Sequence, residues 1–515
     1  MNSHEEVTIE TTAVMIVGAG PTGLALACGL LGSGVPVRVV DCACGPAVTS
    51  RALGLQPRGV EVLDRLGALG DLPQRGLPIG EVVVNVNDRQ VARLSLGRPT
   101  RLVTRPGLLI SQAEIEAGLR RRLEGLGTVV EWGREMLDAD QDPDGVTVRL
   151  DGGDTIRAAW LVGCDGAHSR VRKVAGIGFP GVPLVERFLL ADVHVDLPLP
   201  RDAVSVWLHG EDMVGAFPLP GADLWRVMMP APAGVAEDLP PEGVLALITQ
   251  LWEKRTGYAA RRVRSAEWIS TFRIHRRLAE TYRRGRMLLA GDAAHIHSPF
   301  GGQGMNTGIG DAENLAWKLA VVANGRADQA LLDSYEAERR PVAVEVLDST
   351  SWLTRLVLGE NRVARLLRDH VFVPLMNRPL IQRLIWEQAS QLNVTYRGGP
   401  LATQSRRRLG DGPRPGDRVP DLVCVRTDGS KTRLHAELGT RWALLGTPSP
   451  AIQACAEVVR TKLGLETVTM LAPVDGQPRD TFLVRPDAHL AWRGAPAPEP
   501  IEQWLAAALA PEAAG

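Results

Sequence analysis

Three aspartates mark where this chain could do chemistry, because each stands where an apolar run gives way to glycine. Val37-Arg38-Val39-Val40 ends in Asp41, the run through Leu161 and Val162 ends in Gly163-Cys164-Asp165-Gly166, and Met287 to Ala290 ends in Gly291-Asp292. A carboxylate at the end of a strand can accept hydrogen bonds from the hydroxyls of a ligand lying across that strand end. Two of the three have glycine-rich neighbours. Gly18-Ala19-Gly20-Pro21-Thr22-Gly23 precedes Asp41, and a loop holding Pro299, Gly301, Gly302 and Gly304 follows Asp292. A glycine-rich turn that opens a helix presents bare backbone N–H groups in a positive field, which suits a phosphate or a ring carbonyl that gains negative charge. The chemistry on offer is the holding of a phosphorylated, hydroxylated ligand. No nucleophile triad or metal motif accompanies these residues, and Cys42 and Cys44 form a lone C-x-C without a second ligand pair, so no metal is expected.

The elements that must position these groups follow from the hydrophobic pattern. Ala13 to Val17 is a continuous β-type run, Leu24 to Gly32 is apolar on nearly all sides, and Val37 to Val40 is a second strand. This is G-x-G-x-x-G inside a βαβ unit with an acid at its second strand end, the pattern of adenine-dinucleotide binding. In that pattern Gly18 permits the turn, Gly20 lets a pyrophosphate approach, Gly23 allows close helix packing and Asp41 accepts from ribose hydroxyls. Far along the chain, residues 286–319 repeat the logic: a strand, an acid, a glycine loop, then apolar positions at helical spacing from about Asn306 (Ile309, Ala312, Leu315, Ala316, Leu319). A flavin gains negative charge at its N1/C2 edge on reduction, and such a helix start would receive it. The three acids belong to segments that can lie side by side in one sheet. Arg51 can pair with a phosphate or be a surface arginine, and Gln112, in the first turn of a helix over about 112–123, can reach a cofactor or be merely polar.

Between the two cofactor segments the texture changes. From about Ile177 to Phe272, alternating β-type runs separated by Gly, Pro and Asp predict an inserted antiparallel sheet, with tryptophans at 207, 225, 252 and 268. Residues 331–391 read as helical with prolines, 407–421 as a turn-rich linker, and the remainder as a small α/β unit without C-x-x-C.

Composition narrows the function class. The net charge of −1 over 515 residues gives no reason to expect nucleic acid or an anionic membrane as partner. The start, MNSHEEVTIETT, lacks the pattern of a secretion signal, and no uninterrupted apolar run is long enough to suggest a membrane span. Six scattered cysteines suit a reducing, cytoplasmic location.

Three motifs then carry a resemblance: VGAGPTG at 17–23, CDGAHSRVR at 164–172 and GRMLLAGDAAHIHSPFGGQGMN at 285–306, continued by DAENLAWKLA and YEAERRPVA. With them the chain resembles the FAD-dependent aromatic hydroxylases, the class A flavoprotein monooxygenases, and among these the aromatic-polyketide hydroxylases. The resemblance implies an α/β fold: a Rossmann-like FAD-binding domain (1–176 and, with a helical segment, 273–400), an inserted antiparallel β-sheet substrate domain (177–272) and a thioredoxin-like C-terminal domain (401–515) lacking redox cysteines. It implies FAD contacts from Gly18, Gly20, Gly23, Asp41 (where the family more often has Glu), Arg51, Gln112, Asp165, Asp292, Pro299, Gly302, Gln303, Gly304, Met305 and Asn306. Trp225, Trp268, Phe272 and Phe300 are the expected substrate contacts, Arg277 is a further candidate for a substrate oxygen or for loop support, and His295 and His297 flank the flavin loop as bases or as structural hydrogen-bond partners. The implied reaction uses NADPH, O2 and a flavin C4a-hydroperoxide to oxygenate a polycyclic phenol. With a single dinucleotide fingerprint, NADPH is expected to dock transiently. Rivals are Baeyer–Villiger oxidation of a ketone, inactivating hydroxylation of an antibiotic, and a reductase or binding protein that holds FAD without oxygenating. A monomer or a homodimer is expected.

Overall fold

The computed structural model describes residues 10–48, 52–87, 89–100, 102–210, 212–232, 234–236, 239–298, 301–358, 361–402, 412–464, 467–474 and 480–509. Arg51, Pro299 and Phe300, expected at the site, lie outside these residues. The chain is α/β, with three main sheets.

The first sheet holds the three acids. Its parallel core runs Met287–Leu289, Thr155–Gly163, Glu10–Val17, Val37–Asp41, Val130–Trp132, in that spatial order. Strand Glu10–Val17 sits in the middle, which explains its unbroken apolar second half: Val14 to Val17 are all buried. The hairpin read from GVTVRL and TIRAAWLV is present, with Gly145–Leu150 antiparallel to Thr155–Gly163. Helix Pro21–Gly32 is buried from Gly23 to Leu30 and packs against helix Gly304–Ala323, itself buried from Asn306 to Val321. Two segments nearly 300 residues apart in sequence thus share one core.

The second sheet has eight strands in the order His295–Ile296, Val263–Leu278, Gly181–Val195, Leu224–Pro230, Asp212–Pro218, Ala203–His209, Glu81–Val86, Arg89–Ser95. All neighbours are antiparallel except Ala203–His209 with Glu81–Val86. The sheet therefore extends beyond 177–272. It recruits the hairpin 81–95 from the first cofactor segment, and it runs on to His295–Ile296, at the foot of the glycine loop. Helix Pro241–Thr256 covers one face. The other face packs on Leu53, Ile79, Leu109 and the helical stretch around Val373, Trp386 and Leu392.

The third sheet, residues 423–494, is mixed: Trp442–Leu445 runs parallel to Val468–Pro473, and the other pairs are antiparallel. Helices Pro450–Leu463 and Pro498–Leu509 share an apolar cluster with Trp317 and Val321, on the buried helix Gly304–Ala323, and Trp317 meets Trp442 edge-on at 5.2 Å.

Candidate active site

The turn Gly18 to Gly23 is fitted to its surroundings at two of its three glycines. Gly18 has φ +105°, and a Cβ there would lie 2.3 Å from the Cys164 carbonyl oxygen; one at Gly23 would lie 2.0 Å from the Gly18 carbonyl oxygen. A Cβ at Gly20 would meet nothing within 4 Å. So Gly18 and Gly23 are required by the protein itself, whereas Gly20 faces open space that a ligand can fill. Helix Pro21–Gly32 begins beside that space with no side chain capping it, leaving its first N–H groups available for a phosphate.

The three acids stand at strand ends of one parallel sheet, with Glu10–Val17 between the strand of Asp41 and that of Asp165, but they differ in their present duties. Asp41 accepts from Ala19 N (2.7 Å) and Ala43 N (2.8 Å), so it shapes the glycine turn. Asp165 accepts from Ser169 Oγ (2.5 Å), Arg170 N (2.6 Å) and Val171 N (3.1 Å), and thereby caps the short helix Arg170–Val174. Asp292 is open to solvent, yet protein surrounds it closely enough that burial pushes its carboxyl above the usual range, with His295 opposing the shift. A carboxylate that is wet but walled in is a carboxylate in a cleft. Cys164, beside Asp165, is pushed well above the ordinary thiol range by burial and is a spectator.

The glycine loop is stapled to the segment that follows residue 51. Asn306 donates to Gly54 O and Gly302 O (both 2.9 Å) and accepts from Gln56 N (2.8 Å), while Gln56 Nε2 donates to Gly301 O (3.1 Å). Gln391 Nε2 reaches Thr307 Oγ1 at 3.1 Å from the other side. Helix Gly304–Ala323 starts here after Gln303, again with no side-chain cap. The missing side chain at Gly304 lets His297 pack under the helix start: a Cβ there would be 3.1 Å from His297 Cε1. Burial, then the neighbouring His295, lowers the His297 pKa to about 4, so it is a neutral ring at neutral pH, and its Nε2 finds no partner among the described residues. A neutral imidazole adds no positive charge to the helix start, whose field there is that of the backbone. His295 is fully buried, and its Nε2 lies 2.7 Å from Asp311 Oδ2. That contact ties the loop to the helix that follows it.

Gln112 is in the first turn of helix Gln112–Gly125, but its Nε2 donates to Glu116 at 2.8 Å. Met305 is partly buried against the main core. Arg277 supports the loop's stem: its backbone pairs with Ile296 and its guanidinium donates to Phe179 O at 3.1 Å.

Of the expected substrate contacts, Trp268 and Phe272 share the sheet face that looks toward the loop. Phe272 stacks on Phe188 at 5.8 Å, and Asp192 stands opposite Trp268. This face joins the cluster of Leu53 and Leu392, the chain neighbours of Gly54 and Gln391 that hold the loop. Trp225 is a correction. It points through the sheet to the opposite face, where it is buried with Trp207 and Trp252 under helix Pro241–Thr256, because its strand alternates and its neighbours Val227 and Met229 belong to that core. The residue beside it, Arg226, takes the site-facing position: it grips Asp192 at 2.7 and 2.8 Å and lies 5.2 Å from the Trp268 ring. Sequence reasoning missed this pair, although a lone arginine inside Leu-Trp-Arg-Val-Met-Met was the signal available. Among the described residues no group of His, Cys, Asp or Glu is arranged to hold a metal, and no helix is long and apolar enough to cross a membrane.

These features fit FAD: open space at Gly20, uncapped starts on two helices, a walled-in acid beside them. Comparison with known proteins agrees. Residues 11–350 match the family model described as FAD binding domain, and 412–511 match that described as aromatic-ring hydroxylase, C-terminal. The chain is 36% identical to 6-methylpretetramide 4-monooxygenase of Streptomyces rimosus, covering 93% of this chain and 90% of that one. It is 35% identical to a rifampicin monooxygenase of Streptomyces venezuelae, covering 96% and 99%. The solved structure of OxyS anhydrotetracycline hydroxylase from Streptomyces rimosus superposes with a TM-score of 0.77 at 32% identity, over 98% of this chain and 100% of that one. The chain therefore belongs to the FAD-dependent aromatic hydroxylases, the class A flavoprotein monooxygenases.

Proposed function

We propose that this enzyme uses FAD, NADPH and O2 to insert one oxygen atom into a polycyclic aromatic substrate of the polyketide type, a phenol or its tautomer. The observation that carries the reading is the placement of Asp41, Asp165 and Asp292 at strand ends of one parallel sheet, beside two uncapped helix starts. The relatives' names support the substrate class.

When bound and reduced, FAD would supply the activated oxygen at its C4a position; the chain supplies everything else. Gly20 and the start of helix Pro21–Gly32 would hold the pyrophosphate, Asp41 the ribose, and Asp292 the ribityl hydroxyls. Asp165, already capping a helix, would bound the pyrophosphate region. Gly302, Gln303, Gly304, Met305 and Asn306 would hold the ring edge that gains charge. Trp268 and Phe272, with Phe188 behind, would offer an apolar wall that orients the aromatic ring and excludes water from the reacting oxygen. Within the organisation proposed from sequence (1–176, 177–272, 273–400, 401–515), the hairpin 81–95 belongs with the substrate sheet. A thioredoxin-like reading of the last unit rests on its mixed sheet and two helices, and its Cys424 and Cys455 are buried in separate apolar clusters.

The test is product mass. The protein is supplied with FAD, NADPH, ¹⁸O2 and hydroxylated anthraquinone or naphthacene substrates. A product heavier by one ¹⁸O atom with intact rings and carbonyls supports the reading. An ester or lactone would instead mean Baeyer–Villiger oxidation, and NADPH consumption without labelled product would mean a reductase.

A further inference from the structure

Outside the site, a concentration of buried charge joins the C-terminal unit to the helix that begins at the flavin loop. Arg485 forks onto Glu338 (2.7 and 2.9 Å) and donates through Nε to Asp487 (3.0 Å). Asp487 Oδ2 accepts from Trp317 Nε1 (3.3 Å) and Asn314 Nδ2 (3.4 Å), both on helix Gly304–Ala323, and its carbonyl accepts from Arg58, which also holds Glu313. Glu338 closes the circle by accepting from Lys318 Nζ (2.8 Å) and Asn314 Nδ2 (2.7 Å). Arg485, Asp487, Lys318, Asn314 and Glu338 are each at most 3% exposed.

A second strand of the network reaches the loop itself. The ring of His489 packs on that of Tyr396 at 4.2 Å, and the Tyr396 hydroxyl accepts from Arg339 (3.1 Å). Arg339 donates to Asp311 Oδ1 (2.7 Å) and to Thr307 O (3.0 Å) in the first turns of the same helix. Asp311 in turn accepts from Gly291 N (3.2 Å) and holds His295, on either side of Asp292. Burial alone would raise the carboxyls of Asp311, Glu338 and Asp487, but the guanidinium groups beside them hold all three below the usual range.

Docking of the C-terminal unit does not need these charges. The apolar cluster of Trp317, Val321, Trp442 and Ile452 joins the two surfaces already. Burying an ion network contributes little net stability compared with apolar packing, but forked bonds admit one position and one rotation of the helix that carries them. We propose that Arg485 and Asp487 are positioning residues for the flavin: through Glu338, Asn314 and Trp317, and through Tyr396 and Arg339, they fix the height and rotation of helix Gly304–Ala323, and so the place of its uncapped N-terminus. The inference rests on the FAD reading above.

The experiment uses the full chain loaded with FAD and the variants Arg485→Met, Arg485→Lys, Asp487→Asn and Tyr396→Phe. Asp480→Asn is the control, because Asp480 forms a largely buried pair with Arg493 (2.8 Å) inside the C-terminal unit. Three quantities are read: the FAD dissociation constant by flavin fluorescence, the visible circular dichroism of bound flavin, and the thermal midpoint. Arg485→Met and Asp487→Asn should weaken FAD by about tenfold and change the flavin dichroism. Arg485→Lys should restore part of both. Asp480→Asn should lower the midpoint and leave both flavin readouts alone. The proposal is overturned if folded Arg485→Met and Tyr396→Phe bind FAD within about twofold of wild type with the same dichroism, or if Asp480→Asn weakens FAD as much as they do. Should Arg485→Met or Asp487→Asn fail to fold, Tyr396→Phe and Arg485→Lys decide by the same criteria. A wild-type protein that binds no FAD would sink the cofactor assignment instead, which is a different result.

Discussion

The two faces of the eight-stranded sheet are made by the same strands, yet they have separate work. Toward helix Pro241–Thr256 the strands send Leu189, Ala191, Val193, Trp225, Val227 and Met229, which close with Trp207 and Trp252 into an apolar layer. Toward the glycine loop the alternate residues are Phe188, Asp192, Arg226, Trp268 and Phe272: aromatic rings around a gripped ion pair. Trp225 and Arg226 are sequence neighbours separated by the thickness of the sheet. A period of two therefore divides stabilisation from recognition within a single strand. If that division is real, substitutions on the two faces should fail in different ways.

The largest expected effect is on the covered face. Trp225→Ala would leave a cavity among closed apolar side chains and cost about 3–5 kcal/mol, read by denaturant unfolding of the FAD-loaded protein. The fraction that stays folded should bind an aromatic ligand as wild type does. A Trp225→Ala protein of normal stability but poor ligand binding would put Trp225 back at the site and erase the comparison.

Next in size is the ion pair on the open face. Asp192→Asn strands the Arg226 guanidinium, which is 3% exposed, and should cost about 3 kcal/mol. Replacing both, Asp192→Leu with Arg226→Met, should recover most of that loss, because the expense lies in the unpaired charge rather than in the missing bond. The double variant would then fold while presenting a wholly apolar surface toward the loop, and its ligand preference should shift toward less hydroxylated rings.

The third effect is a pH dependence on the open side. His297, under the helix start beside that face, has its pKa lowered from 6.5 to about 4, first by burial and then by His295. The unfolded chain takes up a proton below pH 6.5 that the folded one refuses until about pH 4. Its stabilising contribution is therefore full above pH 6.5 and declines as pH falls toward 4. With a partly exposed ring the change should be about 1–2 kcal/mol. The depressed carboxyls follow at lower pH: Glu338, held at about 2 by Arg485 and Lys318 against burial, contributes above its ordinary 4.5 and loses that contribution toward 2. Unfolding midpoints measured from pH 7 to 4 should slope less in His297→Gln than in wild type. Identical slopes would mean that the ring is not buried as described.

Much of this site was legible because its residues act locally. A strand, a glycine and an acid within a few positions identify a strand-end ligand site wherever they occur, and Asp41, Asp165 and Asp292 stand at the ends of three parallel strands of one sheet, with Glu10–Val17 between the strand of Asp41 and that of Asp165. Trp225 was misplaced for a physical reason: from Trp225 to Pro230 every residue is buried, so the strand is covered on both sides and alternation cannot say which side holds the ligand. The hairpin 81–95 could not be assigned to the second sheet because its partner strand lies about 120 residues away. Distance hid the clasp too. Asp311, Glu313 and Lys318 fall between the apolar positions of their helix, and only their partners, up to 255 residues away, show that they are buried ion pairs.

The smallest effect is the most discriminating. Phe272 is only partly buried and stacks on Phe188, so Phe272→Leu should cost no more than about 1 kcal/mol of stability, as a near-volume-conserving change. The same change removes an aromatic partner from the face toward the loop, and it should weaken binding of a hydroxylated anthraquinone about fivefold, read as the perturbation of the bound flavin's visible spectrum. Trp225→Phe, the matched change on the covered face, should reverse the order, with a larger stability loss and an unaltered titration. If the two variants shift the titration equally, the ligand does not distinguish the faces, and the aromatic wall must be sought elsewhere around the loop.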